Sequence, residues 1–184
     1  NLTRQLLLFA RREAMRLRSI DLNETIENTI RMLRRIVGED INLEFIHSAD
    51  PLPIEGDPGM LDVVLMNLAV NARDAMPRGG SIVIQTGTEH ITSDAGPWAE
   101  QWLAVLSVSD TGQGIPPDAL PHIFEPFFTT KDVGKGTGLG LATVFGIVQQ
   151  HGGSIQVDSK DSGTAFRITL PMKTGVQSKG EAPA

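Results

Sequence analysis

Phe124-Glu-Pro-Phe127-Phe-Thr-Thr-Lys131-Asp-Val-Gly-Lys135-Gly136-Thr137-Gly138-Leu139-Gly140-Leu141 decides how this chain folds. It is an aromatic clamp followed by a glycine-rich turn that opens an apolar helix. Gly134, Gly136, Gly138 and Gly140 free the backbone from Cβ restrictions. Successive N–H groups can then converge on an anion just where the next helix presents its positive end. Leu139, Leu141, Ala142, Val144, Phe145, Ile147 and Val148 keep helical spacing up to Gly152-Gly153, which reads as a stop signal. The run therefore predicts a nucleotide phosphate site. A flexible linker would surround its glycines with Ser, Asn and charge, whereas Leu139 and Leu141 interleave these. The Walker loop is excluded because Lys135 is followed by Gly136, and the Rossmann loop because Phe127 to Lys131 is not a strand.

At 184 residues, 40% hydrophobic and 21% charged, the chain has the composition of one main domain with a proper core. A formal charge of −6 argues against a nucleic-acid surface, so a polyanion needs a local site. With no cysteine, disulfides, thiolate zinc sites and cysteine nucleophiles are ruled out. No apolar run reaches the ~20 residues that span a bilayer, and the reading predicts no membrane contact and a cytoplasmic location.

Residues 2–18 combine an apolar stripe (Leu2, Leu6, Leu7, Phe9) with Arg4, Arg11, Arg12, Arg16 and Arg18, which predicts an amphipathic basic helix. Asp21 reads as the N-cap of a second helix to about Val37, with Glu24 at the capping-box position. Ile41 to His47 reads as a strand and Pro51 to Asp57 as a turn. Asp57-Pro58 then opens a helix to about Met76. Ser81 to Thr86 and Leu103 to Ser109 read as strands joined by an irregular stretch containing Asp94 to Pro97. Ser154 to Asp158 and Thr164 to Leu170 read as a hairpin, and the tail from Lys173 as disordered linker.

Within the Asp57 to Met76 helix, Asn67, Asn71 and Asp74 share one face, and Leu61, Val64, Leu65, Leu68 and Ala69 make most other sides apolar. Amides in such a helix must hydrogen-bond or ligate something. They can cap nearby backbone, or supply the hard neutral oxygen that suits Mg²⁺, an ion bound largely through substrate phosphates. Asp110-Thr-Gly112-Gln-Gly114-Ile115-Pro ends a predicted strand. A turn is the plain account; alternatively the Asp110 carboxylate accepts the exocyclic amine of adenine while Gly112 and Gly114 let the backbone approach the base. Gly163-Thr164 opens the last strand, where a hydroxyl can relay a water to the same base.

In this order the segments resemble the ATP-binding catalytic domain of sensor histidine kinases of two-component systems, within the Bergerat-fold superfamily that includes gyrase-type and chaperone ATPases. The resemblance covers about residues 20–171. An N box stands at Asn67 to Asp74, a first glycine box at Asp110 to Gly114, an F box at Phe124 to Phe128, a second glycine box at Gly136 to Gly140 and a third at Gly163-Thr164. Asn-Ala-Arg-Asp-Ala-Met and Phe-Glu-Pro-Phe-Phe-Thr-Thr-Lys look like the nitrogen-sensor and PAS-linked class. The resemblance implies an α+β fold, a two-layer sandwich with a mixed sheet of about five strands and about three helices on one face. It implies ATP and Mg²⁺ as ligands, Asn71 on the metal, Asn67 supporting metal and phosphates, Asp110 on adenine and Thr164 in its water network. Asp118 to Thr137 would form a mobile lid anchored by Phe124 and Phe127, with Lys131 or Lys135 near the phosphates. Asp74, Gly112, Gly114, Ile115, Gly136, Thr137, Gly138, Leu139, Gly140 and Leu141 complete the implied nucleotide contacts. Many histidine kinases carry Lys or Arg where Asp74 stands, which puts Arg73 in doubt as a phosphate contact.

Superfamily ATPases resemble one another in placing a glutamate base at the Asn67 position; asparagine cannot activate water. The implied chemistry is phosphoryl transfer to a histidine by positioning and metal electrostatics. His47, His90, His122 and His151 all fall in unsuitable places for an acceptor. The expected division is 1–19 as the end of a dimerisation helix, 20–172 as the catalytic domain and 173–184 as a tail. The acceptor-histidine domain is expected upstream of Asn1 and a response-regulator receiver domain as partner. The fragment is expected to be a monomer unable to autophosphorylate and its parent a homodimer. A gyrase- or chaperone-like hydrolase, and a module that only binds nucleotide or partner, are the competing readings.

Overall fold

Leu22, Ile26, Ile30, Leu33 and Val37 recur at helical spacing and are buried together, so the first described helix presents one apolar stripe inward. The computed structural model describes residues 15–92, 100–131 and 136–173. In chain order its elements are β1 (Arg18–Asp21), α1 (Leu22–Val37), β2 (Ile41–Ile46), β3 (Pro53–Gly56), α2 (Pro58–Asp74), β4 (Gly80–Thr92), β5 (Glu100–Asp110), a short 3₁₀ turn (Leu120–His122), α3 (Gly140–Gln150), β6 (Ser154–Lys160) and β7 (Gly163–Pro171).

Five strands form one mixed sheet in the order β2-β4-β5-β7-β6. β2 and β4 run parallel and every other pair is antiparallel. The described residues cover one face: Ile82, Ile84 and Thr86 of β4 are buried, while the intervening Val83 and Gln85 are not. Ala104, Leu106 and Val108 of β5 and Phe166, Ile168 and Leu170 of β7 join them in a core closed by the inner sides of α1, α2 and α3. Removing Leu68, 1% exposed at the centre of α2, would cost about 2–5 kcal/mol as an alanine cavity. This is the expected two-layer α+β sandwich.

One expectation fails and another falls mostly outside the described residues. The helix expected over 2–18 lies outside the described residues as far as Ala14. Where the chain is described it is irregular at 15–17 and then enters β1. The turn expected at Pro51 to Asp57 instead contains β3, which pairs antiparallel with β1 from Arg18↔Gly56 to Asp21↔Pro53. Both strands are four residues long, too short for alternation to register, and their pairing is non-local. The 94–97 stretch and the tail after Lys173 lie outside the described residues. No helix among the described residues is long and apolar enough to cross a membrane.

Candidate nucleotide site

The start of α2 is fixed from several sides. Asp57 caps it, its Oδ1 accepting from the N–H groups of Gly59 at 3.0 Å and Met60 at 3.3 Å, and Pro58 opens the first turn. The Asp57 N–H donates to Nε2 of the buried His151 at 3.1 Å, and Nδ1 of the same ring donates to the Ile147 carbonyl at 2.8 Å. His151 is therefore a structural bridge between α2 and α3. Three turns into α2, Asn67 donates its Nδ2 to the Val63 carbonyl at 2.8 Å, which leaves its Oδ1 free to face α3. A Cβ on Gly140 would stand 2.9 Å from that Oδ1 and 3.9 Å from Nδ2 of Asn71. The Asn71 amide makes no hydrogen bond to any other described residue.

Across this gap α3 begins at Gly140 with Leu139 as its N-cap, and no described side chain caps it. Its first N–H groups are the orphan donors that an anion satisfies. The Thr143 hydroxyl donates to the Leu139 carbonyl at 2.7 Å, and the Leu139 N–H reaches Thr137 Oγ1 at 3.3 Å, which fixes the turn. Gly138 adopts φ +64, and a Cβ there would collide with the Phe127 backbone. The Phe127 N–H donates to the Gly138 carbonyl at 2.8 Å, so the F box and the second glycine box are tied backbone to backbone.

The aromatic clamp differs from expectation. Phe124 packs on the core and on Phe145, with ring centroids 5.4 Å apart. The Phe127 ring is 67% exposed at φ 70, so among the described residues Phe127 is tied in through its backbone N–H. Phe128 supplies the second partly buried ring, against the core and His122. The segment expected as a mobile lid from Asp118 is docked at its start, because Ala119 and Ile123 are buried.

Asp110 ends β5 directly opposite Thr164 of β7. Its Oδ1 accepts the Gly112 N–H at 2.8 Å. Burial pushes the Asp110 carboxyl above the usual carboxylate range, opposed but not cancelled by the backbone N–H groups of Gly112 and Thr164. Ser159 of β6 closes the pocket wall: its Oγ accepts the Ile115 N–H at 2.8 Å and shares a hydrogen bond with Thr164 Oγ1 at 2.9 Å. Gly114, at φ +75, lies against the Lys160 backbone.

Asp74 sits one turn beyond Asn71 with its carboxylate divided between two cations. Oδ1 takes Arg73 at 2.8 Å and 3.1 Å, and Oδ2 takes the Lys131 ammonium at 2.6 Å. Burial of Asp74 raises its pKa, but the hydrogen bonds and charges of Lys131 and Arg73 outweigh this and hold the carboxyl below its ordinary value.

Contacts link these residues in series: Gly140 stands beside Asn67 and Asn71, Asp74 holds Lys131, Lys131 flanks Gly136, and Gly112, against Ala75 just after α2, follows Asp110, which pairs with Thr164. Lys135 lies outside the described residues. Ser159 escaped the sequence reading, which placed Phe128 in the F box without a role of its own and named His151 only as an unsuitable acceptor. Ser159 meets Ile115 across 44 residues, and no local pattern announces such a contact. His47 follows β2, His90 stacks on Trp102 and His122 pairs with Glu125, so none of these stands in an acceptor-like helix. The donor set fits ATP·Mg²⁺: an uncapped helix start, an Asn71 amide with no described partner, and a Gly140 position that any side chain would fill toward Asn67. No group of three or more His, Cys, Asp or Glu among the described residues could hold a metal ion; Mg²⁺ needs no such cage when phosphates supply its ligands.

The family model of histidine kinase-, DNA gyrase B- and HSP90-like ATPases matches residues 56–174. The sensor kinase CckA of Brucella abortus is 46% identical over 188 residues, covering all of this chain and 20% of that protein. The chain therefore spans about a fifth of that curated relative. The mycobacterial sensor histidine kinase MprB is 31% identical with a TM-score of 0.67, over 85% of this chain and 98% of that one. Full-length ShkA in complex with AMPPNP is 26% identical with a TM-score of 0.73, over 96% of this chain and 35% of that one.

Proposed function

Because this chain belongs to the histidine kinase-, DNA gyrase B- and HSP90-like ATPases, as the ATP-binding catalytic domain of a sensor histidine kinase, we propose that it transfers the γ-phosphoryl of ATP to a histidine on a separate dimerisation domain. The observation that carries the reading is the meeting of Asn67 and Asn71 with the uncapped start of α3 at Gly140. In the reaction the bond between the γ-phosphorus and the bridging oxygen breaks, a phosphorus–nitrogen bond forms, ADP leaves and the imidazole proton goes to solvent.

The chain's own residues position the reactants. Asp110 accepts the adenine amine, and Thr164, held by Ser159, anchors the water beside it. The N–H groups at the start of α3 and the turn from Gly136 receive the phosphates. Asn71 would hold Mg²⁺, which supplies charge neutralisation on the transferring phosphoryl group. Asn67 supports the metal and phosphates, and its neutral amide cannot take a proton from water, which disfavours hydrolysis. The proposal extends to relay onto a response-regulator aspartate, a homodimeric parent and a cytoplasmic setting for this domain.

Two measurements test it. Calorimetric titration with a non-hydrolysable ATP analogue, with and without Mg²⁺, should give metal-assisted binding that Asp110→Ala abolishes. A matched acceptor domain supplied in trans should become phosphorylated on histidine. Binding without phosphohistidine on any acceptor would end the kinase reading, and robust phosphate release lost in Asn67→Ala would replace it with a hydrolase.

A further inference from the structure

Asp74 projects from the same face of α2 as Asn67 and Asn71, about 4.5 Å further along the axis than Asn71. A carboxylate there faces the anionic end of the nucleotide, which it should repel. The structure resolves this. Its two oxygens are engaged separately: Oδ1 by Arg73, through Nε at 3.1 Å and a terminal nitrogen at 2.8 Å, and Oδ2 by Lys131 at 2.6 Å. Arg73 is itself steadied by the Ile36 carbonyl at 3.2 Å, at the end of α1. Lys131 is held at its other end too, its N–H on Thr129 Oγ1 at 3.2 Å and its Cβ 3.2 Å from where a Cβ on Gly136 would stand.

We propose that Asp74 is a positioning residue that holds the Lys131 ammonium at the phosphate end of the site and is not itself a ligand of nucleotide or metal. Two cations around one carboxylate leave the cluster net positive, so the phosphates meet attraction at a place where sequence alone puts an acid. Asp74 ties the end of α2 to the stem of the glycine turn, and Arg73 keeps the carboxylate from swinging toward the metal position. This proposal rests on the ATP·Mg²⁺ reading of the site.

The test is calorimetry of the full chain with a non-hydrolysable ATP analogue plus Mg²⁺, and with adenosine as a phosphate-free probe. Lys131→Ala and Asp74→Ala should each weaken the analogue by about tenfold, the scale of one charge-assisted hydrogen bond, and leave adenosine unchanged. The double variant should be no weaker than Lys131→Ala alone, because Asp74 acts only through Lys131. All three side chains are partly exposed, so the variants should unfold within a few degrees of the parent. Equal losses from Asp74→Ala with and without Lys131 would overturn the proposal and make Asp74 a direct contact. Full affinity in both single variants, alongside abolished binding in Asp110→Ala, would overturn it while leaving the nucleotide site intact. Unchanged binding in Asp110→Ala would instead remove the site reading itself.

Discussion

Asn67 and Gly140 face each other between α2 and α3, with 2.9 Å between the amide oxygen of one and any Cβ on the other. The N-box helix and the glycine-box helix therefore approach to the limit that a glycine allows.

Gly140→Ala separates fold from function. Alanine in the first turn of α3 gains up to about 1 kcal/mol of helix propensity, offset by the push on Asn67. Thermal unfolding should shift by only a few degrees, while calorimetric affinity for the ATP analogue should fall by about tenfold or more. An alanine variant that binds normally would show that Asn67 and Gly140 are not bracketing the ligand.

Ser159→Ala leaves the Ile115 N–H and Thr164 Oγ1 without their shared partner. We expect a loss of about 1 kcal/mol in denaturant unfolding and a weaker site for adenosine, with Ser159→Thr restoring most of both. Failure of threonine to rescue would mean that the hydroxyl is not what shapes the pocket.

Asp110→Asn should trade binding for stability. The folded carboxyl titrates above its unfolded value of about 3.9, so below that value its burial costs nothing. As pH rises through the folded pKa, the native state must carry a buried charge and that stability is lost. The variant should therefore gain on the parent in ligand-free melting as pH rises from about 4 to 7, while its affinity for the ATP analogue falls. A pH-independent difference would contradict the assignment.

His151→Ala orphans the Asp57 N–H at the α2 cap and the Ile147 carbonyl in α3. The expected cost is about 1–3 kcal/mol in chemical denaturation. A variant as stable as the parent would show that solvent replaces the bridge.

The parts of this molecule written in local pattern were legible. Asp57-Pro58 announced α2, the spacing of Leu22 to Val37 announced α1, and the crowding of glycines before Leu141 announced α3 with its anion-facing start. Asn67, Asn71 and Asp110 could be named because polar groups stand out in apolar elements. The Arg73–Asp74–Lys131 cluster was not, since Asp74 and Lys131 are 57 residues apart and only folding sets them 2.6 Å from each other. The exchange of roles between Phe127 and Phe128 was hidden too: two adjacent phenylalanines look alike until one takes a left-handed backbone angle and turns its ring outward.

β1 has a mechanical consequence. It is held antiparallel to β3 immediately before Asp57, and the Arg16 N–H sits on the Asp57 Oδ2 at 3.0 Å. A pull along the chain at Met15 therefore loads a short ladder in shear, with its bonds sharing the strain, and the end of that ladder nearest the pull adjoins the carboxylate from which α2 hangs. Torque applied at this entry point is passed by a handful of atoms to the helix bearing Asn67 and Asn71, so the domain has a handle built into its first described strand.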